Sequence, residues 1–178
     1  MGRRLYGDEH MEVATTLNNL GVLLDTKGEH RAAIEVYSEA LEIRRSVLGE
    51  GHFYVANSLQ NLAVSYESLG DFEAAEGHSR RALEKNIAAF ESPHARIAQS
   101  QRNLGVLLGR MARLDEAATH LRAALEMRRV LFGEEHDDVA NSKLTVASVE
   151  RQLGNFEEAE ALARQALATY EASLGNEH

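Results

Sequence analysis

The feature that most constrains this chain is a register. His10, His52, His94, His136 and His178 stand 42 residues apart, and Val13, Val55, Ile97 and Val139 keep the same spacing. So do Ala14, Ala56, Ala98 and Ala140, then Leu20, Leu62, Leu104 and Val146, then Leu41, Leu83, Leu125 and Leu167. A fixed period without insertions means one supersecondary motif used repeatedly, each copy packing on the next. The register predicts four repeats at 6–47, 48–89, 90–131 and 132–173, with residues 174–178 opening a truncated fifth. The whole chain, 1–178, is then one array.

Within a repeat the apolar residues fall at helical spacing. Val13, Leu17, Leu20, Gly21 and Leu24 predict the buried stripe of a first helix. That helix is expected to end at Gly28, Gly70 and Gly154, because Gly takes the left-handed conformation that closes a helix; the third repeat has Ala112 there. The stretch "EHRAAIEVYSEALEIRRSV" predicts a second helix with Ala33, Tyr37, Ala40 and Leu41 on one face. A single hairpin cannot bury both apolar faces, so stacking is required. Gly21, Ala63, Gly105 and Ala147 on first helices hold register as close contacts. Ala33, Ala75, Ala117 and Ala159, with Ala40, Ala82, Ala124 and Ala166, do so on second helices.

The run "NNLGVLLDTKGEHRAAIEVYSEALEI", with Leu20, Gly21, Leu24, Gly28, Ala33, Tyr37 and Ala40 at signature positions, resembles the tetratricopeptide repeat. The 42-residue period, with "LGEGHFYVANSLQNLA" at the junction, resembles the subclass found in kinesin light chains and signalling proteins. The resemblance implies an all-α, right-handed α-solenoid of four helix-turn-helix hairpins, about eight helices. Some positions depart from the pattern. Met11, Phe53, Ala95 and Asp137 stand where that subclass usually has Pro, and the one Pro, Pro93, precedes His94. Glu150 replaces the core residues Leu24, Tyr66 and Leu108, and Ala163 replaces Tyr37.

Composition narrows the function. A formal net charge of −9 disfavours a general nucleic-acid or anionic-membrane surface. The absence of Cys excludes disulfides and thiolate metal sites and agrees with a reducing compartment. No apolar run reaches the roughly 18 residues of a membrane span, and "MGRRLYGDEH" lacks a signal peptide's apolar core, so a cytoplasmic location is expected. The periodic His residues, about 8 to 10 Å apart in stacked helices, cannot converge on one metal. They are expected to pack and hydrogen bond at helix starts; His78 and His120 are read alike, and His30 as a lone loop residue. No Gly-Lys phosphate loop, His-Glu-x-x-His helix or Gly-x-Ser-x-Gly elbow is present, and no cofactor is implied. Glu157, Glu158 and Glu160 are expected as solvated surface. Arg44, Arg45, Arg128 and Arg129 are expected to complement helix C-termini.

The face of each first helix that the core does not use is the candidate site. In the first two repeats it carries Thr15, Asn18, Asn19, Val22, Asp25 and Thr26, then Asn57, Gln60, Asn61, Val64, Glu67 and Ser68. The later repeats carry Gln99, Arg102, Asn103, Val106, Gly109 and Arg110, then Asn141, Leu144, Thr145, Ser148, Arg151 and Gln152. The resemblance implies that these line a concave groove and that Asn19, Asn61 and Asn103 pair with a peptide backbone. An Asn amide can do so because it both donates and accepts; the alternative is an Asn bonded to the neighbouring repeat. Asp25 and Glu67 make the first half acidic, while Arg102, Arg110 and Arg151 make the second basic. A partner peptide would then set an acidic residue against the third and fourth repeats, unless these Arg are merely solvated.

The reading is a non-catalytic interaction scaffold that binds a peptide segment or partner domain. Its alternatives are an array stacking end to end on itself, or the regulatory segment of a larger kinase or nucleotide hydrolase. The last helix, "FEEAEALARQALATYEASLG", keeps apolar residues suited to a neighbour, which predicts an under-protected face.

Overall fold

The computed structural model describes residues 11–175, with the side chains of 11–173. Residues 6–10 of the predicted first repeat, His10 among them, residues Asn176, Glu177 and His178 of the predicted fifth, and the side chains of Leu174 and Gly175 lie outside the described part. The described residues form eight helices and no strand. They are α1 (Met11–Thr26), α2 (His30–Leu48), α3 (Phe53–Ser68), α4 (Phe72–Ala89), α5 (Ala95–Arg110), α6 (Leu114–Phe132), α7 (Asp137–Leu153) and α8 (Phe156–Gly175). Contacts divide the chain into two compact units, Met1–Phe90 and Glu91–His178. Each holds two of the predicted hairpins, and within each unit every helix packs on its successor.

The periodic His within the described residues, His52, His94 and His136, are helix N-caps. The Nδ1 atoms of His52, His94 and His136 accept the backbone N–H of Tyr54, Arg96 and Asp138 at 3.2, 3.1 and 3.1 Å. Each thus satisfies one of the orphan donors that open α3, α5 and α7. At the turn after each first helix, Gly28, Gly70 and Gly154 take φ of +82, +80 and +86°; Ala112 follows them at +59° despite its Cβ.

In the first unit, Ala33, Tyr37 and Leu41 of α2 bury against Val55, Leu59 and Leu62 of α3 and Ala82 of α4. The small residues act as expected: a Cβ at Gly21 would overlap the Tyr37 ring, and one at Gly105 would come within 2.7 Å of Leu121 Cγ. Where the second and fourth repeats carry Ala63 and Ala147, the positions equivalent to Tyr37 and Leu121 hold Ser79 and Ala163. Glycine thus goes with a large partner residue and alanine with a small one. This also accounts for Ala163 in a Tyr position.

Several expectations are corrected. Leu20 is 43% exposed, although its equivalent Leu62 is 2% exposed. Leu62 packs under α2, whereas no described helix precedes α1. Leu167 is 56% exposed on α8, which no described helix follows. His30 is no loop residue: it opens α2, and its Nδ1 lies 2.9 Å from Asp25 Oδ1. Glu150 is fully buried, but Arg122 lies 3.0 Å away and Asn155 Nδ2 donates to it at 2.8 Å. An ion pair replaces the apolar contact there. Glu157, Glu158 and Glu160 are exposed as expected, the latter two facing Arg122 and Arg164.

Arg44 and Arg128 depart most from expectation. Both are buried and tie successive hairpins together instead of resting at an exposed helix end. Arg44 Nη1 donates to Ser58 Oγ at 2.6 Å and to the Tyr54 carbonyl at 3.3 Å, and Arg128 Nη1 to Ser142 Oγ at 2.8 Å and the Asp138 carbonyl at 3.4 Å. Arg45 and Arg129 pair with carboxylates, Glu42 and Glu50 in one case, Glu126 and Glu134 in the other.

Candidate functional site

The first-helix face is exposed or half-buried at every position assigned to it in the four repeats. This follows from hairpin geometry: α1 and α3 spend one face on their second helices and another on the neighbouring hairpin, leaving a polar strip.

In the first unit, Asn18, Asn57, Gln60 and Asn61 are half-buried, while Asn19, Val22 and Val64 are exposed. The structure joins Asn18 to Asn61, whose Nδ2 donates to Asn18 Oδ1 at 2.9 Å. The same Oδ1 accepts from Arg44 Nη1 at 3.2 Å. Asn61 therefore bonds to the neighbouring repeat, the alternative the sequence left open, while Asn19 faces solvent. Around this cluster lies a hollow of about 340 Å³ lined by Thr15, Asn18, Arg44, Tyr54, Asn57 and Asn61. A second hollow, of about 540 Å³, shares Thr15 and Tyr54 and adds Met11, Glu12, Thr16, Leu48 and His52.

Sequence reasoning missed Arg44 and Tyr54. The guanidinium carbon of Arg44 sits 5.3 Å from the centre of the Tyr54 ring. Burial pushes the Arg44 pKa down, opposed by Tyr54. A detectable signal was the recurrence of Arg44 with Ser58 as Arg128 with Ser142, two repeats on. Asp25 is corrected as a groove charge. It accepts from Ser65 Oγ at 2.7 Å, pairs with His30 and, after burial, helps push the Tyr37 hydroxyl pKa up.

In the second unit, Arg102, Asn103 and Val106 are half-buried and Arg110, Asn141 and Arg151 are exposed. Asn103 Oδ1 accepts from Gln99 Nε2 at 2.7 Å, and Gln99 Oε1 accepts from Arg128 Nη2 at 2.8 Å. Burial first pushes the Arg128 pKa down; Asp138 opposes this and Arg102 adds to it. Among the described residues no group of three or more His, Asp or Glu could hold a metal ion.

The tetratricopeptide repeat family model matches residues 1–46, 27–86 and 96–172. Among solved structures, BtubC (BKLC) from P. vanneervenii is 30% identical with a TM-score of 0.81, covering 91% of this chain and 65% of that one. Nearly identical TPR-like repeats from Podosopora anserina, described as a kinesin light chain, are 19% identical with a TM-score of 0.81, covering 97% and 82%. The apo form of RapI is 19% identical with a TM-score of 0.82, covering 96% and 60%. The chain therefore spans less than two thirds of the length of BtubC and of RapI. No curated protein sequence matches it.

Proposed function

The chain belongs to the tetratricopeptide repeat family, and from that premise we propose that it is a non-catalytic scaffold of the 42-residue, kinesin light chain-like subclass. It receives a peptide segment or partner domain on the first-helix face. The observation that carries this is the exposure of Val22 and Val64, 48% and 46%, at equivalent positions on α1 and α3. Apolar side chains held out of the core beside Asn18, Asn19, Asn57, Gln60 and Asn61 offer contact area ringed by hydrogen-bonding groups. In the second unit Arg102, Asn103, Val106, Arg110, Asn141 and Arg151 stand at the equivalent positions of α5 and α7 and supply cations for an acidic partner residue. No described helix is long and apolar enough to cross a membrane, and a cytoplasmic setting belongs to the same reading.

Selection of random displayed peptides on the full chain tests this. Peptides recovered on the wild type should bind a Val22→Glu, Val64→Glu double variant at least about tenfold more weakly. Undiminished binding to a folded double variant would contradict the reading.

A second reading has its own observation. Leu20 and Leu23 on α1 and Leu167 on α8 are exposed at positions whose counterparts pack beneath neighbouring hairpins. These faces suit a further hairpin, from this chain's copies or another protein. Light scattering would distinguish them: concentration-dependent association abolished by Leu23→Asp or Leu167→Asp supports end-to-end stacking.

A further inference from the structure

We propose that the corner between α6 and α7 in the second unit is a separate docking surface, taking a partner segment that carries a bulky apolar side chain beside Lys or Arg. It goes beyond the first-helix reading, since it lies on other residues and receives a different segment. Its ground is a comparison of two hairpins. In the second repeat the aromatic at the end of the second helix is covered from within: Phe53, at the start of α3, sets its ring 6.2 Å from that of Phe90. One repeat on, Phe132 keeps the place of Phe90, but Ala95 stands at that of Phe53. A methyl group cannot fill the space of a ring. The same position in the fourth repeat is Asp137, so the turn after Phe132 returns no aromatic either. Phe132 is left exposed, stacked on His136 with ring centres 4.8 Å apart.

The consequence is an apolar run held in water. Val130, Leu131 and Phe132 are exposed in succession, and Val130, at 73%, is the most exposed large apolar residue described. Its counterparts in the two preceding repeats are Ser46 and Ala88, so the bulk belongs to this corner and not to the repeat pattern. Beside the run opens a hollow of about 520 Å³ lined by Phe132, Gly133, Glu134, Glu135 and His136. Charge selects what enters it. Glu134 is already paired with Arg129 and Lys143. Glu135 and Asp137 are exposed and have no ion-pair partner among the described residues. Asp137 suits the N-terminus of α7, but Glu135 precedes the helix, and helix electrostatics do not account for the apolar run. Apolar side chains bordered by carboxylates without counter-ions fit an apolar anchor flanked by cations. The same charges repel nucleic acid and anionic membranes.

The test is a methyl NMR titration of the full chain, following Val130 and Leu131 at the corner, with Val22 and Val64 marking the first-helix face. Three capped probes are compared: acetyl-Lys-Leu-Phe-Lys-amide, acetyl-Glu-Leu-Phe-Glu-amide and acetyl-Lys-Gly-Gly-Lys-amide. The first should move the Val130 and Leu131 methyls saturably, about tenfold more tightly than either of the others. Glu135→Gln with Asp137→Asn should weaken it about fivefold and flatten its salt dependence. Ala95→Phe copies the second repeat; Ala95 is exposed, so the added ring displaces nothing, covers Phe132 and weakens the probe about tenfold. Should that variant fail to fold, Phe132→Ser carries the same expectation. Equal binding of the Lys and Glu probes, or a folded Ala95→Phe or Phe132→Ser variant without effect, overturns the corner. So does a shift of its methyls when the chain is concentrated without any probe, which would assign the face to a second copy. If only Val22 and Val64 respond, the corner falls and the first-helix reading stands; if only Val130 and Leu131 respond, the corner stands by itself.

Discussion

Arg44 and Arg128 occupy the same place in two successive pairs of hairpins, and each reaches across to a serine on the next first helix. What surrounds them differs. The second unit closes its clasp with Gln99 and Asp138, whereas the first sets Thr15 and Tyr54 at those positions and leaves a hollow. The junction fold survives both solutions, so the tie between hairpins depends on the Arg to serine and carbonyl bonds. A repeat protein can in this way keep its register while varying the residues around one recurring tie.

The sharpest break of that comparison is removal of each guanidinium. Arg128→Met should cost about 3 kcal/mol, since Gln99, Ser142 and Asp138 all lose a buried partner. Arg44→Met should cost about 1 kcal/mol, because it also removes an under-compensated charge. Urea midpoints of the two variants measure the difference; equal losses would erase the distinction between the clasps.

The next effect concerns the alternation of glycine and alanine. Gly21→Ala should destabilise by about 1 to 3 kcal/mol, because its Cβ meets the Tyr37 ring, and Gly105→Ala similarly against Leu121. Adding Tyr37→Ser to Gly21→Ala copies the second repeat, and thermal melts should show the double variant more stable than the sum of its singles predicts. Simple additivity would mean that the pairing is incidental.

The smallest effect is set by acid. Glu50 is held below the ordinary carboxylate range chiefly by Lys85, and Glu134 by Lys143. A depressed carboxylate contributes stability above its unfolded value of about 4.5, and that contribution is lost as pH falls through the lower folded value. Lys85→Met and Lys143→Met should each flatten the acid limb of a stability-against-pH curve in its own unit. Since Lys143 is 5% exposed and Lys85 22%, the second unit should respond more.

Much of this was legible in the sequence because repetition multiplies weak signals. One His before an apolar run says little, but its recurrence before each first helix marks a cap. Gly21 with Tyr37 and Gly105 with Leu121 likewise announce close packing. Leu20 could not be placed from its own repeat, because its burial depends on a helix preceding it. Asp25 looked like groove charge because its partners Ser65, His30 and Tyr37 lie on α3 and α2, a tertiary arrangement that helical spacing does not encode. Arg44 was misread for a related reason: beside Arg45 in the last turn it has the pattern of a solvated helix end, and only the stacked hairpin covers it.

The central claim is that a partner meets first helices, not second ones, and site-specific photocrosslinking tests it most directly. Val22 and Val64 on α1 and α3, and Val47 and Ile87 on α2 and α4, are all exposed apolar residues of one unit. A photoreactive phenylalanine analogue is placed at each in turn and irradiated with a peptide recovered from the selection. The account predicts crosslinks from Val22 and Val64 with little from Val47 and Ile87; crosslinks from Val47 or Ile87 alone would contradict it.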